Sequence, residues 1–504
     1  MDVLIVLSAL IIVVALYFKS NPLKHSQKFM MRRFVNWFPM GMTYAFLYMA
    51  RYNLNVSKNA LGIMMTKADF GIIFGVGTTV YGLSFLLNGP LVDKIGGKKG
   101  IVIAALGASL ANVALGLMTF MYVKGQIKTN IVLVYSLLYA TNMFFQSYGA
   151  VSIIKVKAYW FHVRERGVFG AIFGTLISVG VYFAFDWGQA IADAAALKPT
   201  QAMNGFQQLL RKVFAIDSGT TSAVWLVFFI PAFLLVFWAL IDMWLLRDTP
   251  AEANFEDFDT HDASSGEMEK TFTMRELLTK IFTNPILLTI AMIEFTSGVI
   301  RNGVLQWYFI FAKEVPQIGA EFFAQKWGLL LCLSGIVGGF LSGWISDHLF
   351  QSRRGPSAGI MNGVMLTAAV IMAIMLTHSP ITVGVCAIII SMAVIGVHSI
   401  MSGTAAADFG GRKATATASG ITDGFVYLGS GLQSISLGYL TTRDWHFWPI
   451  FLIPFTAIGL FLALRIWKCI PQATKDYLQN IEKLKSESTC GDSTQVSLQS
   501  SVSR

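Results

Sequence analysis

The feature that most constrains this chain is the recurrence of long apolar runs with little or no charge. They fall at 34–57, 70–92, 101–122, 130–153, 167–193, 222–246, 285–312, 325–347, 358–377, 380–402, 416–440 and 447–467. Each has the ~20 residues a helix needs to cross ~30 Å of hydrocarbon. Lipid offers no hydrogen bonds, so a spanning backbone must be a helix or a closed barrel. Runs of this length without period-two alternation specify helices. The expected fold class is an all-α membrane protein with twelve spans. Charged residues make up only 13% of the chain, against about 25% in soluble domains. A net charge of +10 raises nucleic acid as a partner, but the basic residues are scattered through loops between spans. The bilayer is the expected partner and nucleic acid is excluded.

A shorter run, Val3 to Phe18, precedes the twelve. Asp2 lies before it, and Lys19, Lys24, Lys28, Arg32 and Arg33 follow. It lacks the basic leader and small-residue cleavage site of a signal peptide. It reads as an additional N-terminal hydrophobic helix, an uncleaved anchor with its N-terminus outside; an interfacial helix is the alternative. The polar stretch after span 6 then divides the chain. The expected organisation is an anchor and basic linker (1–33), a six-helix half (34–246), a linker (247–284), a second six-helix half (285–467) and a disordered Ser-rich tail (468–504). The loops after even-numbered spans carry more Lys and Arg than the opposite loops, which places the linker and C-terminus in the cytoplasm. Four cysteines, Cys332, Cys386, Cys469 and Cys490, show neither metal spacing nor a disulfide framework.

The halves carry matching punctuation. GPLVDKIGGKKG (89–100) follows span 2 and SGWISDHLFQSRRG (342–355) follows span 8, with Asp93 and Asp347 254 residues apart. RERG (164–167) follows span 4 and GGRK (410–413) follows span 10. Arg51 in span 1 and Arg301 in span 7 are 250 residues apart. Each lies about 16 or 17 residues into its span, at matching depth in two related halves, as in transporters built from repeats.

A guanidinium in hydrocarbon costs roughly 3 kcal/mol or more, so an intramembrane arginine marks an aqueous cavity or a partner. Two such forks of donors on facing helices suit a phosphate, whose oxygens accept paired N–H bonds. Tyr44, Tyr48 and Arg51 share one helical face, and Tyr81 and Trp307 extend the candidate substrate-binding set. The structural alternative is an ion pair with Glu294, which shares a face with Arg301 but sits ~10 Å along the axis. Glu294 and Asp423 are acids within spans that, if buried, could titrate and couple charge to transport; a structural ion pair or an exposed cavity wall is the alternative. Gly89, Asp93, Lys94, Gly96 and Lys98, with Asp347, Arg353 and Arg354, are candidate gating residues. Gly89 would permit close helix contact, and Asp93 would accept hydrogen bonds from a neighbouring helix or basic side chain. His398 reads as a hydrogen-bonded packing residue. GVGTTVYG (75–82) is glycine-rich but lies within a span. The chain has no phosphate-binding loop, dinucleotide fingerprint or His-Glu metal motif, so neither an enzyme nor a cofactor is expected.

The loop Gly89, Asp93, Lys94, Gly96, Lys98 resembles the signature loop of the major facilitator superfamily, which implies the twelve-helix fold of two pseudo-symmetric halves. More narrowly, YMARYNLN, ADFG with YGLSFLLNGPLVDK, YWFHVRERG, LRDTP, IRNGVLQW and SGWISDHLFQSRRG resemble the organophosphate:phosphate antiporters over residues 34–467. That resemblance implies that Arg51 and Arg301 bind the substrate phosphate, and that a monomeric carrier exchanges a sugar or glycerol phosphate for inorganic phosphate. It also implies a bacterial inner membrane. Glycerol-phosphate members of the family have a lysine, a histidine and a glutamate where this chain has Phe85, Ile177 and Leu333, so the substrate beyond its phosphate stays open. Proton-coupled transport through Glu294 and Asp423, or a transporter-like sensor, are the alternatives.

Overall fold

The computed structural model describes residues 2–162, 165–196, 205–214, 223–258, 279, 282–350, 353–405 and 415–469. Arg164, the GGRK segment, most of the linker and the Ser-rich tail with Cys490 lie outside the described residues.

The apolar runs form helices, and short polar residues start them. The helices are α1 Asp2–Lys19, α2 Gln27–Leu61, α3 Lys67–Ile95, α4 Gly97–Val123, α5 Ile131–Trp160 and α6 Arg166–Tyr182. A π-type turn, Phe183–Trp187, continues α6 into α7 Gly188–Ala196; α8 Gly205–Val213 and α9 Leu226–Leu245 complete the first half. The second half holds α10 Pro285–Leu305, α11 Trp307–Glu314, α12 Glu321–Gln325, α13 Trp327–Trp344, α14 Arg354–Met375, α15 Pro380–His398, α16 Thr415–Arg443 and α17 Phe447–Arg465. Thr66 and Asp69 cap α3 reciprocally, while Asn284 and Ser379 cap α10 and α15 ahead of a proline at the first turn. These caps satisfy N–H groups that a helix cannot satisfy itself.

The twelve expected spans correspond to α2, α3, α4, α5, α6 with α7, α9, α10 with α11, α13, α14, α15, α16 and α17. The additional helix α1 holds 18 residues, about 27 Å of axial rise. Its first residue, Asp2, bonds Lys326 at the start of α13, while Tyr17 donates to Met30 O (2.7 Å) at the start of α2. It therefore runs the full thickness of the bundle, antiparallel to α2. Arg33 anchors this corner: its Nη1 and Nη2 each lie 2.8 Å from a Glu165 oxygen, and its Nε donates to Tyr17 at 3.1 Å. That pair lets α2 begin seven residues before its apolar run.

The halves meet chiefly through α3 against α16 and α6 against α13. Gly82 makes the first contact possible, since a Cβ there would sit 2.9 Å from the Gly424 carbonyl oxygen. Beside α6, Asp186 in the π-type turn accepts from the N–H of Gly328 (2.8 Å) and Leu329 (3.1 Å). A carboxylate from one half thus caps a helix of the other, where the helix dipole favours it. At the same end Lys58 (3.4 Å) and Lys67 (2.9 Å) both pair with Glu314.

The repeat read from the sequence reappears as contact. Tyr52 donates to Asn302 Oδ1 at 3.2 Å, and Asn59 Nδ2 donates to Phe309 O at 3.2 Å, each pair 250 residues apart. Repeat-equivalent positions on α2 and α10–α11 therefore face one another across the axis relating the halves.

Candidate functional site

Arg51 lies in the middle of α2 and is fully buried. A polar ladder from three helices sets it in place. Asn53 Nδ2 donates to Asn112 Oδ1 (2.7 Å), Asn112 Nδ2 to Asn142 Oδ1 (3.1 Å), and Gln146 Nε2 to the same Asn142 oxygen (3.0 Å). Gln146 Oε1 then accepts from Arg51 Nε at 3.0 Å. Tyr139 on α5 binds the Arg51 carbonyl oxygen at 3.0 Å. Because each amide orients the next, the guanidinium emerges at a fixed angle. It sits over the rings of Tyr81 (4.4 Å), Tyr48 (4.7 Å) and Tyr427 (5.6 Å), where ring quadrupoles favour a cation. Its Nη1 donates to the Tyr427 hydroxyl across the interface at 3.0 Å. Its Nη2 is buried without an acceptor.

Arg301 occupies the matching place on α10 and is 6% exposed. Its Nε is buried without a hydrogen-bond partner. The Tyr48 hydroxyl approaches Arg301, so one tyrosine touches both arginines. The next residue, Asn302, is fixed by Ser430 Oγ at 2.5 Å, which holds this turn of α10 against α16. Unpartnered buried donors cost roughly 1–3 kcal/mol each. Two guanidinium groups with donors to spare, walled by aromatic rings, have the donor chemistry that an anion with several acceptor oxygens would complete.

The structure brings Arg51, Arg301, Tyr48 and Tyr81 together. Tyr44 packs edge-on against Tyr48, 5.5 Å between ring centroids, at the border of the cluster. Trp307 stands apart, packed against Phe70 (5.9 Å) and Trp445 (6.2 Å) beyond the kink that ends α10. Phe85 is buried beside Tyr81 (4.8 Å) and Tyr427 (6.1 Å), so it lines the site. Leu333 is exposed on α13. Glu294 does not pair with Arg301. Its Oε2 lies 2.8 Å from His398 Nδ1, and Asp423 accepts from Ser402.

The residues expected to gate lie at the linker end of the bundle. Asp93 pairs with Lys155 at 3.0 Å, whereas its counterpart Asp347 pairs with Arg354 at 2.9 Å. Arg353 Nε donates to Phe350 O at 3.3 Å. Gly89 makes no close helix contact in this conformation, since a Cβ there would meet open space. Gly96 adopts φ +91°, and a Cβ would overlap the Asp248 carboxylate that accepts the Lys98 N–H at 2.6 Å. Lys94 lies in the last turn of α3. Burial pushes the Asp248 carboxyl up, offset in part by that bond.

Tyr427, Gln146 and Asn302 were not singled out by the sequence, nor was Asp242, a buried carboxylate accepting from Thr43 at 2.6 Å. Tyrosine and amide side chains within spans carry no pattern that separates site from packing. Only the position of Tyr427, one helical turn after Asp423, offered a signal.

The Major Facilitator Superfamily profile matches residues 33–434. The chain belongs to this superfamily. It is a membrane transporter by family and not an enzyme. Among relatives, a probable hexose phosphate transport protein of Chlamydia pneumoniae is 25% identical, covering 87% of this chain and 92% of its own. The glycerol-3-phosphate transporter of Bacillus subtilis is 24% identical over 79% of this chain and 84% of its own. The membrane sensor protein UhpC of Escherichia coli is 23% identical over 83% and 88%. These relatives bear out the resemblance to organophosphate:phosphate antiporters. A solved bacterial homolog of the human lysosomal transporter Spinster, inward-facing, has a TM-score of 0.66 at 16% identity, covering 88% of this chain and 98% of its own. The xylose transporter XylE of E. coli gives 0.60 at 11%, over 86% and 96%. Both share the twelve-helix fold.

Proposed function

We propose that the protein exchanges a phosphorylated small molecule, of the sugar phosphate or glycerol phosphate class, for inorganic phosphate by rocking its two halves about a central site. The observation that carries this reading is the pair Arg51 and Arg301, one per half, each with a buried donor lacking a protein acceptor and both touched by Tyr48. Arg51 and Arg301 bind the phosphate; Tyr44, Tyr48 and Tyr81 shape the space around it. Phe85 replaces a cationic wall by an aromatic one, which suits an ester carrying little negative charge beyond its phosphate.

Two like charges repel across a low-dielectric interface. A phosphate between them removes that repulsion and draws the halves together. A ligand shifts a conformational equilibrium only through differential affinity, and bridging both halves supplies it. Exchange without net leak follows, because reorientation requires occupancy. Residues 34–246 and 285–467 act as the moving halves, with 247–284 as the linker. The Lys58–Glu314–Lys67 end faces outward, and the linker and C-terminus face the cytoplasm of a bacterial inner membrane. The carrier works as a monomer.

Vesicles containing the purified protein and loaded with phosphate test this. Labelled phosphate and a panel of sugar and glycerol phosphates should exchange, and failure of every pair overturns the reading. Relatives described as membrane sensors favour a second reading, in which the same site binds a phosphate ester and reports it. Ligand binding without counterflow would select that one.

A further inference from the structure

The C-terminal half holds a second cluster of ionisable groups that the phosphate site does not use. Glu294 on α10 is 0% exposed, and its Oε2 lies 2.8 Å from Nδ1 of His398, whose side chain is 26% exposed. The other carboxylate oxygen, Oε1, is buried without a partner. On α16 Asp423 faces the same group and is bonded by Ser402. Glu294 and Arg301, seven residues apart, share a face of α10, so the cluster sits about 10 Å from the phosphate site, toward the linker end.

We propose that this cluster is a proton-binding site linked to the anion site, so that the carrier takes up a proton when it binds its phosphate ligand. The proposal rests on the reading of Arg51 and Arg301 as the phosphate clamp. Its physical basis is charge balance. The ionisable groups facing Glu294 are His398 from α15, Asp423 from α16 and Arg301 on its own helix. α17, packed on α10, has no ionisable side chain between His446 and Arg465. With Glu294 and Asp423 ionised, His398 neutral with its proton on Nδ1 and Arg301 cationic, the group carries one net negative charge.

Phosphate bound to Arg301 changes that balance. Its negative charge offsets the guanidinium and leaves the two carboxylates without a cation. At an effective dielectric near 20, one charge about 10 Å away alters a proton affinity by roughly tenfold. The geometry supplies a route. Nε2 of His398 makes no bond among the described residues, and the ring joins the accessible side of the cluster to the buried carboxylate. A proton arriving from water at Nε2 releases the proton on Nδ1 to Glu294 Oε2. The result is a neutral acid and a neutral imidazole in place of a carboxylate and a neutral imidazole, with one proton gained. By linkage, proton and phosphate each strengthen the other's binding.

The test is calorimetric titration of the full-length protein with inorganic phosphate, at a pH where phosphate is a dianion, in buffers of differing ionisation enthalpy. Wild type should take up about one proton per phosphate, and its affinity should fall by up to about tenfold per pH unit on the alkaline side. Glu294→Gln keeps the shape and the contact with His398 but cannot ionise. It should bind phosphate with uptake near zero and a flatter profile. His398→Gln gives the same readout should Glu294→Gln fail to fold. Equal proton numbers in wild type and in a variant that still binds would overturn the linkage while leaving the phosphate clamp intact. No phosphate binding by wild type would overturn both.

Discussion

Arg51 and Arg301 occupy equivalent positions in the two halves, yet their surroundings differ. Arg51 is held by Gln146, by Tyr427 and by three aromatic faces, at the end of a ladder through Asn142 and Asn112. Arg301 has a buried Nε without a partner, is approached by the Tyr48 hydroxyl, and leaves the anchoring to its neighbour Asn302. One arginine is braced by an amide ladder and the other has no such brace. On the proposed reading, Arg51 presents a preset angle to the phosphate from one half while Arg301 adjusts from the other. The difference teaches that sequence symmetry conserves position without conserving partners.

The largest effect should come from replacing either arginine by lysine. A point charge loses the planar fork, and removing one member of a buried charged contact costs about 2–5 kcal/mol, or roughly 30-fold and upward in affinity. Exchange by Arg51→Lys or Arg301→Lys, measured in phosphate-loaded vesicles, should fall by at least that factor. Retained exchange in either variant would break the equivalence of the two sites.

Truncation to alanine separates them. Arg51→Ala leaves Gln146 Oε1 and the Tyr427 hydroxyl without their contacts, at about 1–3 kcal/mol for a buried unsatisfied group. Arg301→Ala removes a guanidinium whose buried Nε has no partner, and releases only the Tyr48 hydroxyl, whose ring still faces Arg51. Thermal unfolding without ligand should therefore be earlier in Arg51→Ala and unchanged or later in Arg301→Ala. The opposite order would mean that Arg301 is the structural member. A milder probe is Gln146→Leu, which frees Arg51 to rotate. It should weaken phosphate affinity by about 1 kcal/mol, roughly fivefold, and leave Arg301-dependent stability alone.

The spans were legible because lipid leaves few options: apolar runs of this length must be helices, and charges within them are costly enough to stand out. The arginine pair was legible for the same reason. What stayed hidden was chosen by proximity in three dimensions. His398 lies 104 residues from Glu294, and Tyr427 376 from Arg51, so no spacing within a helix reveals either pair. The π-type turn that aims Asp186 at α13 was likewise hidden, since FAFDW reads as ordinary span. Gly89 was expected to pack closely, but its surroundings depend on how the halves are tilted, a variable that sequence does not carry.

The smallest effect concerns the end of the bundle at Glu314, where the halves differ in charge. Lys58 and Lys67 come from the first half and Glu314 from the second. Glu314 is 34% exposed, so water and salt screen the pair, and such contacts are worth about 0.2–1 kcal/mol. Lys67 also rests 4.3 Å over the Trp445 ring, a contact that Glu314→Gln leaves in place. The variant should therefore shift the balance between the two faces by at most about fivefold toward opening at this end. Cysteine labelling at Ile63, in the adjoining loop, would read the shift as faster modification. Raising salt should accelerate labelling in wild type and have little effect in the variant. If salt alters both equally, the latch is not electrostatic, and the Asp186 cap on α13 is what keeps this end shut.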